Sequence, residues 1–135
     1  MLGVGMAETA KLIIAVALGG ALGAVGRYFI SAQVAQWFSS NVPWSTLLVN
    51  VLGSFILGAL YECGVLFWHP SDGLKAFLVV GILGGFTTFS TFSLDVVLLF
   101  ERGHWGIGAL YAVGSMLLAI LGLVIGLLFI RSIFT

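Results

Sequence analysis

Long apolar stretches separated by short polar segments form the main pattern along the chain. A helix needs about 20 apolar residues to cross the hydrocarbon core of a bilayer. Stretches of this length run from about Leu12 to Ile30, Trp44 to Phe67, Leu74 to Phe100 and Trp105 to Ile130. The connecting segments "SSNVPW", "WHPSDGLK" and "ERGHWG" hold the turn-forming residues and most of the charge. The pattern predicts an all-α membrane protein, with four transmembrane helices in a single domain over residues 1–135.

The composition supports an integral membrane protein. Hydrophobic residues make up 61% of the 135 positions and charged residues only 7%, with a mean hydropathy of +1.21. A soluble domain typically has about 25% charged residues. We therefore expect a multi-pass protein of the cell membrane, in the inner membrane if the source is Gram-negative. The formal net charge is zero, which gives no electrostatic case for a nucleic-acid partner.

The first apolar stretch also raises the question of a signal peptide. It is long for the apolar region of such a peptide, lacks a basic start and is followed by further spans. We therefore expect it to be retained as a transmembrane helix.

Basic residues are shared almost evenly between the two sides of the predicted bundle. Four spans place both termini on one side, together with Lys11, Lys75 and Arg131, whereas Arg27 and Arg102 fall towards the other side. The bias of Lys and Arg sets the orientation of a membrane protein. Because three against two is nearly no bias, we expect insertion in both orientations. Such dual topology allows an antiparallel homodimer with its two-fold axis in the membrane plane.

Small residues recur at helical spacing in three of the spans. Helices in lipid often associate through such residues, because they let the backbones approach closely. The first span has Gly19 and Gly23, and the second has Gly53 and Gly58. In the fourth span, small residues at alternating spacings of four and three form a seam: Gly108, Ala112, Ser115, Ala119, Gly122 and Gly126. The seams predict a tight bundle but do not specify a function.

The third span carries an unusual motif, "GGFTTFSTFSLD", that starts at Gly84. Glycine permits non-helical backbone. At membrane depth such backbone is tolerated only where it is buried in protein or faces water or an ion. We predict a helix break near Gly84 to Thr88, with freed carbonyl groups that suit a hard cation such as Na⁺. The alternative is a simple kink whose carbonyls are satisfied by the nearby hydroxyls.

The second span places Asn50 well inside the membrane, with Thr46 one turn earlier and Ser54 one turn later on the same face. The Asn50 amide offers two donors and one acceptor. One interpretation is an interhelical hydrogen bond that holds the bundle together. The other is a donor that lines a polar passage.

Three phenylalanines, Phe86, Phe89 and Phe92, alternate with the hydroxyl residues of the third span. Contact with lipid is the default interpretation. However, an aromatic ring has a positive edge, and ring edges beside hydroxyl and amide donors suit a small anion. A site without Lys or Arg also binds weakly enough for the anion to leave, as conduction requires.

The remaining polar residues give no sign of enzyme chemistry or of an organic cofactor. His69 and His104 lie in loops without a nucleophile or metal-ligand spacing near them, and Cys63 is the single cysteine. Asp95 is a possible proton carrier. For both Asp95 and Glu62 we expect instead that the carboxylate reaches an interface or pairs with a base.

Three motifs resemble the Fluc family of fluoride channels, also called CrcB. They are "GGALGAVGRY" in the first span, "STLLVNVLGSFILG" in the second and "GILGGFTTFSTFS" in the third. The resemblance implies an antiparallel, dual-topology homodimer with two pathways for passive export of cytoplasmic fluoride. It also implies a structural Na⁺ at the centre, held by backbone carbonyls at the third-helix breaks of both chains.

Functional residues follow from matching the motifs position by position. Gly84 and Thr87 match the carbonyl ligands of Na⁺, and Arg27 matches an arginine near a vestibule. The fourth helix of the family can carry a polar track that starts at a tyrosine, and the matching positions here are Tyr111 and Ser115. This chain departs from the track one and two turns further on, at Ala119 and Leu123, where some members have hydroxyl residues. The candidate ion pathway consists of Thr46, Asn50, Phe89, Ser90, Thr91, Phe92, Tyr111 and Ser115.

Two other function classes remain open from the sequence. A small multidrug-type, proton-coupled exporter also uses four short helices in dual topology, but it needs an acidic residue in the middle of a span, and Asp95 is the only candidate. A non-transporting assembly subunit would explain the small-residue seams, although it leaves the polarity of the third span unexplained.

Overall fold

The computed structural model describes residues 5–135, so the first four residues of the predicted domain lie outside the described range. Every regular element within that range is helical. In chain order they are α1 (Met6–Trp37), α2 (Trp44–Leu66), α3 (Asp72–Lys75), a π-helix (Ala76–Leu83), α4 (Gly84–Phe86), α5 (Phe89–Glu101) and α6 (Trp105–Phe134).

Within residues 5–135, four helical spans are long and apolar enough to cross a membrane, which confirms the predicted number. They are Met6–Trp37, Trp44–Leu66, Asp72–Glu101 and Trp105–Phe134. The largest difference from the predicted limits is in α1, which extends beyond the apolar stretch at both ends. The flanking sequences "AETAK" and "SAQVAQW" continue the helix because alanine, glutamate, lysine and glutamine are good helix formers.

The third span consists of two helical halves joined by extended backbone. The first half starts at α3, where the Ser71 hydroxyl accepts a hydrogen bond from the Leu74 amide, and it runs through the π-helix into α4. Thr87 (φ −87°, ψ 156°) and Thr88 (φ −151°, ψ 115°) are both extended. The chain then re-enters a helix at Phe89, with Thr88 as the N-cap residue of α5.

The two halves of the third span pack against different neighbours. The π-helix and α4 lie along α1, whereas α5 contacts α6. The fourth membrane span, α6, packs most extensively along α2. The extended segment therefore lies where the chain crosses from the α1 side of the bundle to the α6 side.

Glycines make these close packings possible, as the seams predicted. A Cβ added at Gly23 of α1 would overlap the carbonyl oxygen of Ile82 in the π-helix. Between α2 and α6, a Cβ at Gly126 would overlap the Phe55 carbonyl. The helix backbones thus approach each other directly, which confirms the predicted small-residue contacts.

An ion pair joins the ends of α2 and α6 on the side of the chain termini. The Arg131 guanidinium donates from Nε to Glu62 Oε1 at 3.0 Å and from Nη2 to Oε2 at 3.1 Å. Glu62 is buried and Arg131 is half exposed. Of the two expectations for Glu62, an interface position or pairing with a base, the structure shows the pairing.

Candidate functional site

An open groove of about 340 Å³ lies beside the extended segment of the third span. It is bounded by α2, by the two halves of the third span and by α6. Several sequence-predicted site residues meet here: Asn50, Gly84, Thr87, Phe89, Phe92 and Ser115. None of the described residues that line the groove is charged.

The Asn50 side chain is paired with the backbone of Thr88. Asn50 Nδ2 donates to the Thr88 carbonyl at 3.0 Å, and the Thr88 amide donates to Asn50 Oδ1 at 2.8 Å. Both backbone groups of an extended residue are thereby satisfied inside the bundle. Because the Asn50 amide has two N–H groups, one donor remains for a second partner. Asn50 can therefore form the interhelical hydrogen bond and line a passage at the same time.

Two backbone carbonyls lose their usual helical donors at this point. In a continuous α-helix the carbonyl of Gly84 would accept from the amide of Thr88, and that of Thr87 from the amide of Thr91. The Thr88 amide donates instead to Asn50, and the Thr91 amide donates to Thr88 Oγ1 at 3.2 Å. Carbonyl oxygens released in this way suit a hard cation such as Na⁺. The carbonyl oxygens of Gly84 and Thr87 are therefore suitable ligands for the expected Na⁺ ion.

Thr87 ends the first half of the third span. Its amide and its hydroxyl both donate to the Leu83 carbonyl, at 3.0 and 2.9 Å. Its methyl group lies against Gly53 of α2, where an added Cβ would overlap it. Glycine at position 53 therefore lets the extended segment approach α2 closely enough for the Asn50 hydrogen bonds.

Arg27 of α1 reaches the same region from the other side. Its Nε donates to the Gly85 carbonyl at 3.0 Å, and the residue is partly buried. The helix continues past it to Trp37. The guanidinium is therefore bonded to α4, two residues before the extended backbone begins at Thr87.

Phe89 and Phe92, both in the first turn of α5, have very different exposures. Their ring centroids are 5.5 Å apart with an interplanar angle of 42°, so the rings are tilted rather than stacked. Phe92 is 8% exposed and packs in turn on Tyr111. Phe89 is 75% exposed, and both residues line the groove. An exposed ring on a groove wall can turn its positive edge towards an anion.

The remaining predicted pathway residues do not line the groove. The Tyr111 hydroxyl donates to Asp95 Oδ2 at 3.1 Å, and both Tyr111 and Thr46 are buried. Thr88 Oγ1 donates to Thr91 Oγ1 at 3.1 Å and lies 3.4 Å from Ser90 Oγ. Thr46, Ser90, Thr91, Tyr111 and Arg27 are not among the lining residues.

Sequence reasoning did not select Thr88 as a site residue, although it lies within the predicted break. Its amide and carbonyl bind Asn50 and its hydroxyl caps α5, so it has more polar contacts than any pathway candidate named from the sequence. A threonine just before a helical run, whose hydroxyl can accept a hydrogen bond from the backbone N–H three residues later, is a typical N-cap signal. Ser54 and Met116 also line the groove.

Comparison with known proteins identifies close relatives. The family model described as "CrcB-like protein, Camphor Resistance (CrcB)" matches residues 14–127. A protein of Rhodospirillum centenum named "Fluoride-specific ion channel FluC" is 52% identical over 122 residues, 90% of this chain and 97% of that protein. Proteins of the same name are 44% identical in Nitrobacter winogradskyi, over 90% of this chain and 96% of that protein, and 46% identical in Magnetococcus marinus, over 87% and 96%.

Proposed function

Because the chain belongs to the CrcB family, we propose that it is a fluoride-selective passive ion channel that exports cytoplasmic fluoride. It is a multi-pass protein of the cell membrane, and its relatives are named as channels rather than enzymes. The observation that carries the proposal is the uncharged groove, in which an amide, hydroxyl groups and two phenylalanine rings meet at the extended backbone.

The groove offers hydrogen-bond donors without a full positive charge. The second N–H of Asn50, the hydroxyl of Ser115 and the edges of Phe89 and Phe92 are the donors that an anion would meet. Fluoride is the smallest halide and accepts hydrogen bonds most strongly, whereas chloride is larger. Because no Lys or Arg is among the lining residues, the donors hold an anion loosely enough for it to leave, which conduction requires.

The direction of transport follows from acid–base chemistry. HF crosses membranes as a neutral molecule and ionises inside a less acidic cell, where fluoride is trapped. The negative interior potential then drives the anion out through a selective passive pathway. No coupled proton movement is needed, because the membrane potential supplies the driving force. The proton-coupled exporter has less support, because Asp95 accepts a hydrogen bond from Tyr111 and is not among the groove-lining residues.

The architecture that we propose is an antiparallel, dual-topology homodimer with two pathways and a third helix broken in the middle of the membrane. The extended Thr87 and Thr88 near the centre of the span Asp72–Glu101 support the break. Reporter fusions at the C-terminus test the topology: activity from both sides of the membrane is expected. A single orientation would contradict it.

The released carbonyls of Gly84 and Thr87 would hold a structural Na⁺, together with the same pair from the second copy. When bound, the ion supplies positive charge beside an otherwise uncharged groove. The remaining pathway roles are proposals of the same kind: Arg27 lies at a vestibule, and Thr46, Ser90, Thr91 and Tyr111 line more distant parts of the route. For Arg27 and Thr91, the hydrogen bonds from Arg27 Nε to the Gly85 carbonyl and from Thr88 Oγ1 to Thr91 Oγ1 support positions near the extended segment.

The direct test is transport by purified protein in liposomes. Loaded vesicles should release fluoride down its gradient and retain chloride under the same conditions. Vesicles that retain both anions would overturn the proposed function.

A further inference from the structure

A second groove, of about 400 Å³, lies between the C-terminal half of α2 and the start of the third span. Its polar rim consists of Tyr61, Trp68, His69 and Lys75, all close to the end of α2 or the start of the third span. Its walls are apolar and include Leu57, Leu60, Leu78 and Val79. The groove therefore combines a cationic, aromatic rim with a hydrocarbon-like interior.

We propose that this groove binds an anionic phospholipid, with the phosphate at Lys75 and one acyl chain along the apolar walls. The proposal is independent of fluoride transport. The first argument is charge. Within residues 5–135 the ion pairs are Lys11 with Glu8 and Arg131 with Glu62, so the Lys75 ammonium has no carboxylate within ion-pair distance. Asp72, one turn earlier on α3, is exposed and makes no ion pair with it.

The second argument is position in the membrane. Indole and phenol rings favour the membrane–water interface, and the rim contains both Trp68 and Tyr61. A lysine near the end of a span extends its aliphatic stem along apolar surface and keeps its ammonium at the headgroups. Basic pockets between transmembrane helices at this level are typical sites for anionic headgroups.

The third argument is length. The groove follows α2 from the Trp68 end back to Leu57. The helical part of this stretch, from Leu57 to the end of α2 at Leu66, is about 14 Å long at 1.5 Å per residue. Half of the hydrocarbon core of a bilayer is about 15 Å thick. The walls therefore match one acyl chain of one leaflet, whereas a free phosphate would leave them uncovered.

Trp68 provides a local reporter for this site. The other tryptophans, Trp37, Trp44 and Trp105, lie at the opposite ends of the spans, so replacing them with Phe leaves one indole beside the groove. The full chain with these replacements is reconstituted in phosphatidylcholine that contains either brominated phosphatidylglycerol or brominated phosphatidylcholine. Bromine quenches indole fluorescence on contact, so the two series give the relative affinity for the anionic lipid.

We expect phosphatidylglycerol to be preferred, and Lys75→Gln to reduce the preference about fivefold, the factor that one lysine near an anionic surface provides. Lys11→Gln is the matched control, since Lys11 lies on the same side but is paired with Glu8 and lies away from the groove; it should leave the preference unchanged. Equal quenching by the two lipids, or a preference that survives Lys75→Gln, would overturn the proposal. Absence of quenching by either lipid would show that a second copy covers the groove and would overturn it as well.

Discussion

The side chain of Asn50 hydrogen-bonds both polar groups of the Thr88 backbone, at 3.0 Å to the carbonyl and 2.8 Å to the amide. This single contact satisfies an extended residue inside an apolar bundle and diverts the Thr88 amide from the Gly84 carbonyl. The same amide group therefore stabilises the extended backbone at Thr88 and contributes to the groove. Its two roles make Asn50 the most informative position for mutation.

Replacing Asn50 with Ala should both destabilise the protein and abolish fluoride flux. The change leaves the Thr88 amide and carbonyl without their partners, and an unsatisfied buried polar group costs about 1–3 kcal/mol. Thermal unfolding in detergent and vesicle efflux measure the two effects. Ser54→Ala, one turn later on α2, is the stability control, because none of the side-chain hydrogen bonds of the described residues involves its hydroxyl. An Asn50→Ala protein as stable as Ser54→Ala would contradict the role given to the Thr88 contact.

Gly23→Ala should destabilise the bundle by about 1–3 kcal/mol, the usual cost of overpacking. Its Cβ would overlap the Ile82 carbonyl, and backbone cannot move aside as a flexible side chain can. Gly20→Ala is the matched control on the same helix, since a Cβ there meets no atom of the described part of the chain within 4 Å. Comparison of the two melting temperatures tests the close approach of α1 and the π-helix. Equal stability of the two variants would count against it.

Phe89→Ile should reduce fluoride flux at least about tenfold, the rate factor that ~1.4 kcal/mol corresponds to. Isoleucine keeps apolar bulk but removes the positive ring edge. Phe89 is 75% exposed within the chain, so the fold should tolerate the change. Phe29→Ile, at a 62% exposed position on α1, is the control and should leave flux unchanged. The same substitution at Phe92 should cost stability as well, because that ring is buried against Tyr111. Normal flux through Phe89→Ile would refute the ring-edge role.

Removal of Na⁺ should lower the melting temperature of the purified protein. An ion that binds only the folded state stabilises it by mass action, by about 2.7 kcal/mol at one hundred times the dissociation constant. Melting curves in NaCl are compared with curves in N-methylglucamine chloride at equal ionic strength. Identical curves in the two salts would exclude a stabilising sodium site at the Gly84 and Thr87 carbonyls.

The spans and their close contacts could be predicted because both depend on local composition. Apolar length alone marks a membrane helix, and small residues at helical spacing mark where backbones meet, as at Gly23 and Gly126. The long ends of α1 were missed because hydropathy reports the apolar core of a helix and not its polar extensions. The π-helix Ala76–Leu83 was missed because its apolar sequence "AFLVVGIL" carries no signal of altered hydrogen-bond spacing.

The site could be predicted only as a set of residue types. The sequence selected Asn50, Phe89 and Phe92, and the structure places all three on one groove. The partners could not be predicted, because they join distant segments. Arg27 binds the carbonyl of Gly85, 58 residues away, and Arg131 binds Glu62, 69 residues away. Such pairs depend on how the helices rotate against each other, which a single sequence does not specify.

Fluoride efflux from proteoliposomes tests the central claim most directly. Vesicles that hold fluoride and chloride at equal concentration, with K⁺ as the cation, are diluted into a medium free of both anions. Valinomycin lets K⁺ leave down its gradient and so balances the charge of the released anion. Electrodes selective for each anion follow release. The proposed channel predicts rapid release of fluoride and retention of chloride until detergent is added. Retention of fluoride, or release of both anions at similar rates, would contradict the account.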